Sequence, residues 1–202
     1  KFEKDIMQGQ AYKNLVRLKK LLGLINIPER IECYDISNIK DSYPVGSMSV
    51  AVNGKLINSN YRQFKIKTIV GQDDCSMIGE VVSRRLAYFG KESDKNKYDK
   101  IKCNKKGIKK EDDSFSIKPD LIHIHQINRL AWVVCRIAKS LRIPVITTAW
   151  GSDVLIIPQK NSLYYSITKS VLDYSTYVTA DSHEMIRAMQ AISPSDKKYI
   201  YL

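Results

Sequence analysis

The chain has 202 residues, 44% of them hydrophobic, and 33 Lys and Arg against 21 Asp and Glu, a formal charge of +12. This is a globular composition, long enough to bury a substantial core in one large or two small domains. The positive excess favours an anionic partner, nucleic acid or an acidic membrane surface, and does not by itself choose between them.

The basic excess is uneven: residues 1–120 carry 24 basic and 16 acidic side chains, residues 121–202 carry 9 and 5. Cys33, Cys75, Cys103 and Cys135 are far apart with no CxxC pair, so neither a zinc knuckle nor a compact disulfide framework is signalled. Reduced thiols and a cytoplasmic location are the simplest expectation. The most apolar run, Ala131 to Trp150, is broken by Arg136, Lys139, Arg142 and Pro144, which argues against a transmembrane segment. No signal peptide is evident. The start at Lys1 and the end inside the apolar run YIYL lead us to expect a piece of a longer protein.

In chain order, residues 9–22 place Tyr12, Leu15, Leu18 and Leu22 at helical spacing with Lys and Arg between them, and Gly23 supplies a stop. Three strand-like runs follow: RIECYDIS, VGSMSVAV, and a stretch from Leu56 to Ile69. Asn53-Gly54 is a strong hairpin signal between the last two. Alternation in YRQFKIKTIV sets Phe64 and Ile66 on one face and Gln63, Lys65 and Lys67 on the other. Next comes a helix in SMIGEVVSRRLAYF, capped by Asp73 or Asp74, with Met77, Val81 and Leu86 inward. Residues 91–113 hold nine lysines and little to bury, which marks a solvated insert or, less simply, a DNA-contacting arm. From 118 the rhythm becomes strand (LIHIH), helix (129–140), strand (PVITTAW), loop (GSD), helix (162–172), strand (YVTAD), helix (182–191) and a last strand, which implies parallel pairing. The expected fold class is α/β: one mixed sheet, three antiparallel strands continuing into parallel Rossmann-like units.

RIECYDISNI, VGSMSVAVNGK, YRQFKIKTIVGQDD and SMIGEVVSRR, in that order, resemble the C-terminal nuclease domain of UvrC, the incision subunit of bacterial nucleotide excision repair. The resemblance implies a ribonuclease H-like fold, DNA and other excision-repair subunits as partners, and Mg or Mn held by two aspartates that activates water at a phosphodiester. By that likeness Asp35 is the first metal ligand. The second carboxylate is due after KPDLI, where family members continue with a strand ending in Asp and a glycine-rich turn. This chain reads HIHQINR, so His125 stands at the place of the Asp, and the glycines are missing. The later catalytic His of the family has no evident counterpart. Weak or absent incision is therefore expected, with Asp35 and His125 as the remaining candidates for catalysis and metal binding. Lys65, Lys67, Arg84 and Arg85 are the candidate DNA-binding residues.

KPDLIHIH, RIPVITTAWGSDV and YVTADSHEMI resemble instead the N-terminal domain of family 4 glycosyltransferases. That likeness implies a sugar or phosphate contact at Gly151, Ser152 and Asp153, and a nucleotide-sugar donor only with a second domain. The resulting division is 1–117, a UvrC-like half with the N-terminal helix and the Lys-rich insert, and 118–202, a glycosyltransferase-like half, in one continuous sheet. A chimeric, non-catalytic α/β module is the third alternative. His123 and His125, two apart on a strand, share a face and either join Asp35 around a metal or are ordinary half-buried strand histidines. His183, with Asp181 and Ser182, fits helix-start chemistry better than a catalytic triad.

Overall fold

The computed structural model describes residues 2–37, 45–66, 74–86, 89, 117–194 and 199–202. The Lys-rich insert, Lys67 and Asp73 lie outside the described residues. Helix α1 spans Phe2–Leu21, and the strands that follow are β1 (Arg30–Ser37), β2 (Val45–Val52), β3 (Lys55–Leu56) and β4 (Arg62–Lys65). Helix α2 is Asp74–Leu86. The second half runs β5 (Leu121–His125), α3 (Arg129–Ser140), β6 (Val145–Thr148), α4 (Ser152–Leu155), α5 (Ser162–Tyr174), β7 (Tyr177–Ala180), α6 (His183–Ile192) and β8 (Tyr199–Tyr201).

All eight strands form one sheet in the order β3-β2-β1-β5-β6-β7-β8, with β4 on the same outer edge of β2 as β3. β1 pairs antiparallel with β2 and parallel with β5, and the pairs from β5 to β8 are parallel. The mixed α/β class expected from the sequence is what the chain forms. Residues on either side of position 118 share this sheet, because Ile31, Glu32 and Cys33 on β1 lie in register with Leu121, Ile122 and His123 on β5.

Local chemistry explains most of the elements. Asn53 (φ 51) and Gly54 (φ 74) take the paired left-handed conformations of a type I′ turn, which fixes the β2–β3 hairpin. Asn128, Asn161 and Ser182 cap α3, α5 and α6 by accepting from the backbone N–H three residues on. Two expectations need correction. The run from Leu56 is not one strand: a 3-10 turn at Asn58–Asn60 breaks it into β3 and β4, so the chain can turn at the sheet edge. The GSD segment is not a plain loop, because Ser152 already begins α4.

One face of the sheet carries the main core. Tyr34, Met48, Val50, Phe64, Ile122, Ile124, Val145 and Val178 point to this side and pack against the apolar sides of α2, α3, α5 and α6. Met77, Val81 and Leu86 of α2 are buried there as expected. Each such side chain contributes roughly 2 kcal/mol on burial.

A charged cluster sits in the same layer. Glu32 is fully buried and accepts from Arg30 Nε at 2.6 Å, from Arg85 Nη2 at 2.6 Å and from Tyr34 Oη at 2.5 Å. Arg85 also donates to the carbonyl of Ile117. These bonds lock α2 to β1 and to the entry of β5.

The opposite face is only partly covered. Leu22 at the end of α1 packs with Leu121, Ile146 and Tyr177, while Ala11 lies against Gly54 of the hairpin. The helix therefore crosses the amino-terminal ends of the parallel strands and leaves their carboxyl ends open.

Candidate nucleic-acid interface

Strand alternation and register decide what stands on the open end of that face. Residues in register point the same way, so Asp35, its β2 partner Ser47 and the β4 residue Gln63 form one row, with Lys65 two residues along from Gln63. Asp35 is exposed and, with Cys33, Ser47, Ser49, Tyr61, Arg62 and Gln63, lines an open cleft of about 590 Å³. Cys33 sits deeper, where burial first and the Asp35 charge second push its thiol up to about 11, so it stays protonated and unreactive.

On the other side of β1 the same face carries His123 and His125. His123 Nε2 lies 2.9 Å from Thr148 Oγ1, which lies 2.7 Å from Thr179 Oγ1, a hydrogen-bonded row across three parallel strands. Burial, then the neighbouring His125, lower His123 to about 4, so its ring is neutral at physiological pH. His125 is exposed, its ring 4.3 Å from His123 and edge-on to Trp150 at 6.1 Å.

A divalent metal at this place needs converging anionic ligands. Among the described residues no group of three His, Cys, Asp or Glu side chains is placed to hold one. Asp35 is the one carboxylate among the described residues of its row, and across β1 from it the chain offers an imidazole. The donor set does not fit a two-carboxylate metal site.

The basic candidates separate. Lys65 is exposed on the Asp35 face. Arg84 lies at the flank, donating to the Lys65 carbonyl at 2.9 Å and paired with Glu80 at 3.1 Å, with about a fifth of its side chain exposed. Arg85 does not reach the surface: it is fully buried on Glu32, so its expected contact with DNA is corrected to a structural one. Lys67 lies outside the described residues.

The Gly151-Ser152-Asp153 segment also reads differently in three dimensions. Gly151 needs its positive φ of 106, which explains the glycine. Asp153 is only 1% exposed, and Oδ2 accepts from Ile127 N at 2.6 Å while Oδ1 accepts from Trp150 N at 3.0 Å. Its carboxylate ties the ends of β5 and β6 together and is committed to the main chain, not to a sugar.

The UvrC RNAse H endonuclease domain family matches residues 19–185. The chain belongs to that family. UvrABC system protein C of Clostridium perfringens strain SM101 is 40% identical over 121 residues, 59% of this chain and 18% of that protein. The Geobacter metallireducens protein of the same name is 48% identical over 84 residues, 42% of this chain and 14% of that protein. The chain thus spans under a fifth of the length of these curated relatives. A solved Ciona intestinalis endonuclease V in complex with DNA is 13% identical with a TM-score of 0.34, covering 72% of this chain and 55% of that one, too slight a likeness to argue from.

The UvrC-family match runs past position 118, so it takes in the segment whose motifs resemble family 4 glycosyltransferases. That second resemblance gains no support from these relatives. Within the UvrC-type domain, sequence reasoning placed Asp35 and His125 on adjacent strands but missed the Glu32 cluster, the threonine row and the exposure of Trp150. The alternation of LIHIH and VITT carried a signal for the threonine row, since in-register strands align every second residue.

Proposed function

We propose that this chain is a UvrC-type DNA-binding nuclease domain of excision repair whose incision chemistry is impaired. His125 carries the reading: it follows Asp35's strand by one place in the sheet, where the family likeness calls for the second carboxylate. A neutral or cationic imidazole there does not share a divalent ion with Asp35 as a second aspartate does. The residues left to act are those that hold a phosphate backbone: Lys65 on the open face, Arg84 at its flank, and hydroxyl and amide donors from Ser47 and Gln63. The formal charge of +12 supports the same partner. Other excision-repair subunits as partners and a cytoplasmic location follow from the family reading.

The sugar-transfer alternative is weaker on this geometry, because it needs Asp153 and that carboxylate is spent inside the fold.

The test is nicking of supercoiled DNA with Mg²⁺ or Mn²⁺, run beside DNA binding at low salt. The unmodified chain is expected to bind and to nick barely above its Asp35→Ala control. His125→Asp should raise metal-dependent nicking at least tenfold over the unmodified chain, a gain lost again when combined with Asp35→Ala. Brisk nicking by the unmodified chain that depends on Asp35 would refute the impairment, and absence of DNA binding at low salt would refute the reading as a whole.

A further inference from the structure

The carboxyl ends of β5 to β8 form an edge whose chemistry differs from the Asp35 cleft. His125 ends β5 and stands edge-on to Trp150, which follows β6 and is 66% exposed. Past β7, His183 is exposed and stacks flat on Tyr201 of β8, rings 4.5 Å apart and 6° from parallel, with Tyr201 itself 54% exposed.

Main-chain bonds keep these ends level. Gln126 N donates to Thr148 O, Ala149 N to Thr179 O and Leu202 N to Ala180 O, so the pairing continues past each strand. A Cβ built on Gly151 would lie 3.8 Å from Met185 Sδ, so the Trp150-Gly151 turn rests on the first turn of α6, beside His183. Four strand ends one after another cover about 14 Å.

A large indole and a tyrosine left in water cost free energy unless a ligand covers them. Ring faces of this size suit other flat rings, and nucleobases are the flat rings that the partner of a +12 chain carries. Duplex DNA hides its base faces. Asp181 and Glu184, exposed beside His183, disfavour phosphates at that end, whereas Arg129, exposed at the start of α3, favours them at the other. A strand laid along this edge thus meets it through its bases.

We propose that the carboxyl edge of β5–β8, through Trp150 and the His183–Tyr201 stack, is a stacking platform for the unpaired bases of single-stranded DNA. This rests on the DNA-binding reading and names the form of DNA that the neighbouring cleft receives: a strand already opened from its duplex. The platform does no chemistry. It positions a strand.

The experiment titrates the whole chain with a short oligothymidine and, separately, with a duplex of equal length, reading the anisotropy of a dye on the DNA and the intrinsic tryptophan emission. Single strand is expected to quench the emission, and Trp150→Ala to weaken single-strand binding about tenfold, with duplex binding changed less than twofold. Trp150→Phe should recover most of the affinity without the quenching, and Tyr201→Ala should weaken single-strand binding alone. Lys65→Gln reports on the cleft, and its expected effect falls mainly on the duplex.

Equal single-strand affinity in the unmodified chain, Trp150→Ala and Tyr201→Ala would overturn the platform while leaving the DNA reading intact. Loss of all binding, duplex and single-strand, in the unmodified chain would overturn both. A quench produced by oligosaccharides and not by oligothymidine would overturn it in favour of sugar stacking.

Discussion

His123 is held neutral by its surroundings, and that has a measurable cost in acid. In the unfolded chain it titrates near its ordinary 6.5, and in the fold it sits at about 4 because burial, and secondarily His125, penalise the imidazolium. Between those values the unfolded chain binds a proton that the folded chain refuses. Stability therefore falls as pH drops from about 6.5 to about 4, by at most roughly 3 kcal/mol in full, less whatever solvent screens on the open part of the ring. Urea unfolding at pH 7.5 and pH 5 is expected to show the unmodified chain losing about 2 kcal/mol more than His123→Gln, which keeps a partner for Thr148 without the titration. Equal losses in both proteins would show that His123 does not carry the effect. The HxH spacing was legible as a shared face, but its environment was not: Thr148 lies 25 positions away, and only the β5–β6 register brings it within 2.9 Å.

Among the elements, α2 shows how far periodicity reaches. Its Met77, Val81 and Leu86 positions were readable because a helix repeats its inward side every three or four residues. Arg85 was not readable, since a charged residue beside an inward Leu belongs by default to the surface. What reverses the default is Glu32, on β1, whose side chain points into the core and leaves a buried carboxylate that must be paired. Arg85→Met is therefore expected to cost about 3 kcal/mol or more of stability, because it leaves Glu32 a buried charge with one guanidinium fewer, and to leave DNA affinity of the folded protein nearly unchanged. Chemical denaturation beside an anisotropy titration separates the two; a variant of unaltered stability and weakened DNA binding would return Arg85 to the surface. The β2–β3 hairpin was legible for the opposite reason, as Asn53-Gly54 carries its turn geometry in two adjacent residues. The break between β3 and β4 had no such local mark.

For the whole molecule, the alternation of the second half predicted a parallel sheet, and the three strands of the first half predicted an antiparallel one. What joins them is β1, paired with β2 on one side and β5 on the other. The apparent change of ancestry at residue 118 has no counterpart as a break in this sheet. A protein divided there should not yield two independent domains: residues 1–117 and 118–202, made separately, are each expected to lack a cooperative thermal transition, and mixing them to restore one. Sharp independent melting of either piece would argue for two self-sufficient units.

The β1–β5 pairing also has a consequence in time. Arg30 N donates to Asp120 across 90 positions of chain, so β1 acquires its second neighbour long after it has been made. At ordinary rates of synthesis that interval is roughly 5 to 20 s. Throughout it, β1 presents an unpaired edge, and Glu32 and Arg30 await a guanidinium and a strand that close over them only later. A nascent chain of this design is most exposed to wrong pairing in the window before LIHIH emerges, and the residues that guard it then are the charges it will afterwards bury.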